Sequence, residues 1–377
     1  MSRAGRVNAQ PGRRTPVRAV MFDVDGTLLL SDRTLGGYEL LPGAIEVLTT
    51  LKARQVPFAL LTNGSAHPPA AQAAKLRAAG LPVDDEQMIT PSSIAADYLQ
   101  RRGVRRALEL GSSGVGQALR DAGIETVHAG EAGATEVGSV FVGWHPECNM
   151  KDIETACRAI WAGAELCVAS DVAFFATKQG LTIGYSHAIT AAIRRLTHAP
   201  MTLTGKPSLR ALRFVAKRLG VPMRALAVVG DDPVVEVLMA RRGGATALAV
   251  TTGTTPREEW QRQPRSRRPD AILNGLREVL GWLDNATDAR RTVPRPPRSS
   301  RTQLRARRAA TSSRAATKRR AIRRSGCAGS AYVKDQALRR HSRNHGLRHR
   351  PGAPGLSPQH VLHVAHEARE PRALQSR

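Results

Sequence analysis

From Ala19 to about Leu283, short apolar runs alternate with amphipathic stretches of helical length. Runs bounded by turn residues and too short for helices read as buried strands, here 19–23, 57–62, 226–230 and 245–251. Behind each comes a segment with apolar positions at helical spacing: 43–54, 68–80, 208–219 and 234–243. In the first of these, Ile45, Val47, Leu48 and Leu51 follow Pro42 with polar residues between them, which predicts a helix lying with one face on a sheet. Strand and helix in alternation predict βα units around a parallel sheet, an α/β fold.

The alternation is interrupted by a second set of candidates, with strands at 106–110, 138–144 and 166–169 and helices at 93–101, 114–122 and 151–163. The pattern predicts a core made of 19–83 and 186–285, with a second αβ domain, 84–185, inserted into it. A cleft between two such bodies is a natural ligand site. The glycines of Leu110-Gly111-Ser112-Ser113-Gly114-Val115-Gly116 lack the spacing of a dinucleotide fingerprint, and no acidic residue follows at the usual distance, so they read as a strand-to-helix turn.

Charge changes the picture only at the ends. The formal net charge of the 377-residue chain is +26, but residues 291–377 hold 22 Lys and Arg against 3 Asp and Glu. The first 18 residues add five Arg and no acid, so the predicted globular part is nearly neutral. A basic N-terminus (1–18) and an Arg/Ala/Ser/Pro-rich tail (286–377) cannot bury enough apolar surface to offset ordering entropy and are expected to be disordered. Cys148, Cys157, Cys167 and Cys327 form no CxxC pair and read as reduced thiols, the first three as small buried hydrophobes rather than metal ligands. No run of 18 apolar residues occurs and the Arg-rich start lacks an apolar h-region, so a cytoplasmic protein without membrane contact is the default.

Four short segments carry candidate chemistry. Asp23-Val24-Asp25-Gly26-Thr27 places two carboxylates at the end of the first predicted strand, where open α/β sheets bind ligands; Asp23 can attack phosphorus and Asp25 can move the proton. Leu60-Leu61-Thr62-Asn63-Gly64-Ser65 ends the second strand with a hydroxyl and main-chain N–H groups suited to phosphate oxygens. In Thr204-Gly205-Lys206-Pro207, Lys206 can offset charge on nucleophile and phosphoryl group. Ala227-Val228-Val229-Gly230-Asp231-Asp232, with Glu236 five positions after Asp231, supplies carboxylates for Mg²⁺, a hard ion that takes oxygen ligands. Asp231 is the preferred ligand; Asp232 and Glu236 can instead be turn and helix N-terminal residues, a reading of at least equal weight for Asp232. Each segment alone has a structural explanation, as turn, helix cap or solvated surface lysine, and the argument rests on their occurring together.

Taken together, DVDGT, LLTNG, GKP and VVGDD resemble the four motifs of the haloacid dehalogenase superfamily. The long insertion, Val142-Gly143-Trp144 before a helix and Ala169-Ser170-Asp171 further on resemble its class IIA branch, the NagD-like and 4-nitrophenylphosphatase-like hydrolases. The resemblance covers about 19–285 and implies a Rossmann-like core with an inserted αβ cap. It implies a Mg²⁺-dependent hydrolase of a small phosphorylated metabolite, working through an aspartyl-phosphate. Catalytic roles fall on Asp23 (nucleophile), Asp25 (general acid/base) and Lys206 (charge balance), and substrate contacts on Thr62, Asn63 and Gly64. Metal ligands would be Asp23, Asp25 through its main-chain carbonyl, and Asp231. Asp171 and Lys178 fall where the cap returns to the core. Glu236 departs from the Asp that many relatives carry there, and relatives often dimerise through the cap.

Two other functions compete. A phosphotransferase or mutase of the same superfamily can use the same four motifs. A polyanion or nucleic-acid binder can use the tail, where Arg305, Arg307, Arg308, Lys318, Arg319 and Arg320 would neutralise phosphates; with only Tyr332 for stacking, such contact would be non-specific. Arg/Ala/Pro/Ser-rich text is equally what a GC-rich gene gives when read out of frame.

Overall fold

The computed structural model describes residues 15–32, 37–177 and 180–291. The tail beyond 291, most of the basic N-terminus and Lys178 lie outside the described residues. In chain order the first part of the fold is β1 (Ala19–Phe22), β2 (Leu29–Ser31), β3 (Tyr38–Leu40), α1 (Ala44–Ala53), β4 (Phe58–Leu61), α2 (Pro69–Ala78) and β5 (Met88–Ile89). There follow α3 (Pro91–Arg101), β6 (Arg106–Leu110), α4 (Ser113–Asp121), β7 (Glu125–Val127), β8 (Ser139–Val142), α5 (Met150–Trp161) and β9 (Glu165–Val168). Next are β10 (Phe174–Thr177), β11 (Gly180–Ile183), α6 (Tyr185–Thr197), β12 (Met201–Leu203) and α7 (Leu209–Arg218). The chain then runs through β13 (Leu226–Gly230), α8 (Leu238–Gly243), β14 (Thr246–Val250), α9 (Arg257–Arg262), β15 (Ala271–Leu273) and α10 (Arg277–Arg291).

Two parallel sheets organise these elements. The first has the order β15-β14-β13-β1-β4-β5, the second β12-β9-β8-β6-β7. Central strands are buried on both faces, which is why they read as unbroken apolar runs. Successive residues still point to opposite sides: Val20 and Phe22 pack with the helix side chains Val47, Leu48 and Leu51 of α1, whereas Ala19 and Met21 pack with Leu212 and Val215 of α7. The second sheet is covered in the same way, by α5 and α6 on one face and by α3 and α4 on the other.

The α/β class and the parallel core sheet agree with the sequence, but the edges of the insertion shift. β5 at 88–89 belongs to the first sheet, pairing with β4, and β12 at 201–203 to the second, pairing with β9. The insertion therefore spans about 90–204 rather than 84–185, because strands of two and three residues carry no period by which to place a boundary. The segment 286–291, expected to belong to the disordered tail, continues α10. The helix expected at 234–243 opens as a wider π turn over Pro233–Val237, with the Val237 N–H donating to the Asp232 carbonyl, before becoming α-helical at Leu238.

Trp260 of α9 is fully buried against the first sheet, and its indole N–H has no hydrogen-bond partner among the described residues. Trp260→Ala is expected to lower unfolding free energy by about 3–5 kcal/mol. Trp260→Phe, which keeps a ring and removes the unpartnered donor, is expected to recover more than half of that loss; urea denaturation of both variants measures it.

Candidate active site

The strand order places β1 between β13 and β4, and all three end on the same side of the sheet. Their C-terminal ends carry Asp23, Asp231 and Thr62, so three of the four sequence segments converge without any long side chain reaching across. The fourth arrives from the insertion. After β12, the Thr204 N–H donates to the Val168 carbonyl and the Gly205 N–H to that of Ala169, and the next residue is Lys206. Its ammonium contacts Asp23 Oδ1 and lies 2.8 Å from Glu236 Oε1.

All three side chains of this ion cluster are buried. Burial works against the Lys206 ammonium, but the carboxylates of Asp23 and Glu236 outweigh it and hold the lysine above its ordinary value. Loss of hydration pushes the Glu236 carboxyl well up, and its attraction to Lys206 does not compensate because Asp23 and Asp231 repel its charge.

Around this cluster the local chain fixes each acid. Thr27 Oγ1 donates to Asp23 Oδ2 at 3.2 Å, one turn beyond the strand end. Ser31 of β2 donates to Asp25 Oδ1 at 2.5 Å, so the hairpin after the DVDGT turn holds the second acid. Asp25 is only half-buried by area, yet desolvation still pushes its carboxyl up to about 6; the Ser31 bond pulls the other way and the charge of Asp23 adds to the rise. Desolvation pushes Asp231 up to about 7, helped by Asp23, against the pull of the Thr254 N–H (2.8 Å) and hydroxyl (3.1 Å) on its Oδ2. Gly26, with φ +80°, and Gly253 press against that carboxylate, and a Cβ at either would overlap it.

Several expected residues sit differently. Asn63, predicted as a phosphate contact, spends both ends of its amide on the main chain of Lys206: Nδ2 donates to the carbonyl at 3.1 Å and Oδ1 accepts from the N–H at 2.7 Å. The Gly64 N–H donates to Thr62 Oγ1 at 2.9 Å and is used inside its own loop. Asp232 caps the π turn through Val234 N–H at 2.7 Å, the plain structural role. Asp171 pairs with His187 at 2.9 Å. Thr27, Ser31 and Thr254 were not anticipated; a hydroxyl shortly after an acidic strand end was the available signal for the first two, and nothing local marks Thr254.

Asp23, Asp231 and Glu236 present carboxylate oxygens within 4.8 Å of one another. An all-oxygen donor set of excess negative charge fits a hard divalent cation. Glu236 belongs to this set of side chains while paired to Lys206.

The chain matches the haloacid dehalogenase-like hydrolase family over residues 20–125 and the HAD-hydrolase-like family over 203–279. It is 26% identical to a 5′-nucleotidase of Bacillus subtilis over 71% of this chain and 98% of that one. It is also 26% identical to a dihydroxyacetone phosphatase of Corynebacterium glutamicum, over 73% and 95%. Among solved structures, a 4-nitrophenylphosphatase from Thermotoga maritima superposes with a TM-score of 0.62 at 26% identity, covering 70% of this chain and 97% of that one. A hypothetical protein from Pyrococcus horikoshii gives 0.64 at 27%, covering 70% and 99%. Both family models are those of haloacid dehalogenase-like hydrolases, and the relatives and solved structures lie in their class IIA branch. The chain is an enzyme of the phosphatase type.

The raised carboxyl of Asp231 implies a pH-dependent cost to the metal-free fold. Its ordinary value is near 3.8 and its folded value about 7, so folding favours the protonated form. Stability from this group is full below about 4 and is lost as pH rises through 7. In chelator, Asp231→Asn is therefore expected to exceed the wild type in unfolding free energy by on the order of 2–4 kcal/mol at pH 8. The gap should close towards pH 4, as read from urea midpoints across that range.

Proposed function

We propose that the chain is a Mg²⁺-dependent phosphomonoester hydrolase that acts on a small phosphorylated metabolite through an aspartyl-phosphate on Asp23. The observation that carries the proposal is the Asp23 carboxylate, held at the centre of the sheet with one oxygen on Lys206 and the other on Thr27, beside a second acid whose carboxyl lies near 6. A nucleophile fixed in this way loses no orientation entropy on attack.

An Asp23 oxygen attacks phosphorus and the ester P–O bond breaks. Asp25 gives its proton to the leaving oxygen, a role that a carboxyl pushed up to about 6 suits near neutral pH. The Asp25 carboxylate then takes a proton from water, which attacks phosphorus and releases phosphate from Asp23. Lys206 opposes the repulsion between a dianionic ester and a carboxylate nucleophile, and the Thr62 hydroxyl with the main chain of its loop faces the phosphoryl oxygens. Asp23, Asp231 and Glu236, with the Asp25 carbonyl, are the groups that would hold Mg²⁺. Bound there, Mg²⁺ would neutralise charge on the transferring phosphoryl group. Asn63 acts one step removed, by fixing the main chain that carries Lys206.

The relatives are named as a 5′-nucleotidase, a sugar phosphatase and a dihydroxyacetone phosphatase, which supports a small phosphate ester as the substrate. Phosphate release from a panel of such esters is expected to require Mg²⁺, to cease in chelator and to fall by at least about 10³-fold in Asp23→Asn. Mg²⁺-independent turnover, or activity retained by that variant, overturns the proposal.

Asp25→Asn gives a finer test, because a nitrophenolate leaves without protonation whereas a sugar alkoxide does not. The variant is expected to form the phosphoenzyme from 4-nitrophenyl phosphate with a smaller loss than from a sugar phosphate. Equal losses in single-turnover experiments would remove Asp25 as the acid.

A further inference from the structure

A second group of ligating side chains lies in the insertion, between β8 and α5. The segment Gly143-Trp144-His145-Pro146-Glu147-Cys148-Asn149 leads into α5, and Asn149 caps the helix. The Asn149 carboxamide oxygen accepts from the Lys151 and Asp152 N–H groups at 2.9 and 3.4 Å, while Asp152 Oδ2 accepts from the Asn149 N–H at 2.9 Å. This reciprocal box turns the Asp152 carboxylate back over the helix start. There, His145 Nε2 stands 3.3 Å from Asp152 Oδ2. A ligating atom of His145, of Cys148 and of Asp152 all lie within 4.8 Å of one another.

The chemistry of this group differs from that of the active site. Imidazole nitrogen, sulfur and a single carboxylate oxygen form a borderline-soft donor set, which selects zinc-like ions over Mg²⁺. Cys157 and Cys167 are buried in the packing of the insertion, as expected of structural thiols, whereas Cys148 is only partly buried, at the edge of that packing. It sits on the loop that leads into α5. The helix cap holds one ligand in place, and Pro146 restricts the chain between the other two. Tetrahedral zinc places such ligand atoms about 3.3–3.8 Å apart; His145 Nε2 and Asp152 Oδ2 already stand 3.3 Å apart.

We propose that His145, Cys148 and Asp152 form a binding site for a zinc-like divalent transition ion, separate from the carboxylate cluster at Asp23, with water completing the coordination. On binding, a bond forms between Cys148 Sγ and the ion, and the thiol proton passes to the buffer; nothing is oxidised or reduced. The ion would fasten the loop directly after Trp144. The Trp144 N–H donates to Ser65 Oγ at 2.9 Å, its carbonyl accepts from the Ser112 N–H at 2.9 Å, and its ring packs edge-on against Tyr185. Ser65 lies three residues after Thr62, so the site is tied to the loop proposed to face phosphate.

The test is a titration of the full chain, stripped of metal by chelation, with Co²⁺ alone, followed by Zn²⁺. A thiolate-to-cobalt charge-transfer band is expected to saturate at one equivalent and to disappear on adding Zn²⁺. The band should be absent in Cys148→Ser, and Co²⁺ affinity should weaken by at least about tenfold in His145→Gln. It should persist in Cys327→Ser, which removes the thiol of the His-containing tail, and in Asp231→Asn, which alters the proposed Mg²⁺ site. Metal-free melting curves establish that the variants are folded; if Cys148→Ser is not, His145→Gln decides. No band in the wild type, a band that survives Cys148→Ser, or affinity unchanged in His145→Gln overturns the assignment.

Discussion

One buried ammonium holds the centre of this protein together. Lys206 is enclosed with Asp23 and Glu236, with Asp231 close by, at the open end of a sheet whose other side chains are apolar. Acids taken this far out of water are tolerated only in company with positive charge and hydrogen-bond donors. The site has one cation and a few hydroxyls to supply both. The upward displacement of Asp25, Asp231 and Glu236 is the electrostatic sign of that deficit. On the proposed reading the centre takes up a dication and a phosphate, and without them its acids are under-compensated.

The lysine reaches its place from outside the core. The chain leaves the first sheet after β5, builds a complete second sheet with its own two helical layers, and returns along β12. The last hydrogen bonds of that return, from Thr204 and Gly205 to the end of β9, stop one residue short of Lys206. Asn63, at the end of core strand β4, then takes hold of the Lys206 main chain from the other side. The lysine is thus positioned by both sheets at once.

Much of this was legible in the sequence. Strands β1, β4, β13 and β14 stand out as buried apolar runs, and the acids that follow β1 and β13 mark the candidate site by position alone. Harder to see were the features that depend on contacts between distant positions. The hold of Asn63 on Lys206 spans 143 residues and leaves no local trace; a short polar residue after a strand looks the same whether it caps a helix, touches a ligand or binds a remote main chain. The pairing of Glu236 with Lys206 likewise joins two separate segments and leaves no local trace. The π turn at Pro233–Val237 escaped because α and π spacing differ too little over five residues. Cys148 shares its residue type with two buried neighbours, and only its position ahead of the helix cap sets it apart.

The register between β12 and β9 has a consequence for how such an enzyme can diversify. An insertion tethered only by flexible linkers could be exchanged between relatives as a self-contained module. Here the final strand of the insertion and the charge-balancing residue of the core are parts of one continuous stretch, so a slip of one residue in that pairing would draw the ammonium out of the acid cluster and invert the strand's faces. The loops and helices of the insertion can therefore vary more freely than that strand, whose register is tied to the position of the lysine.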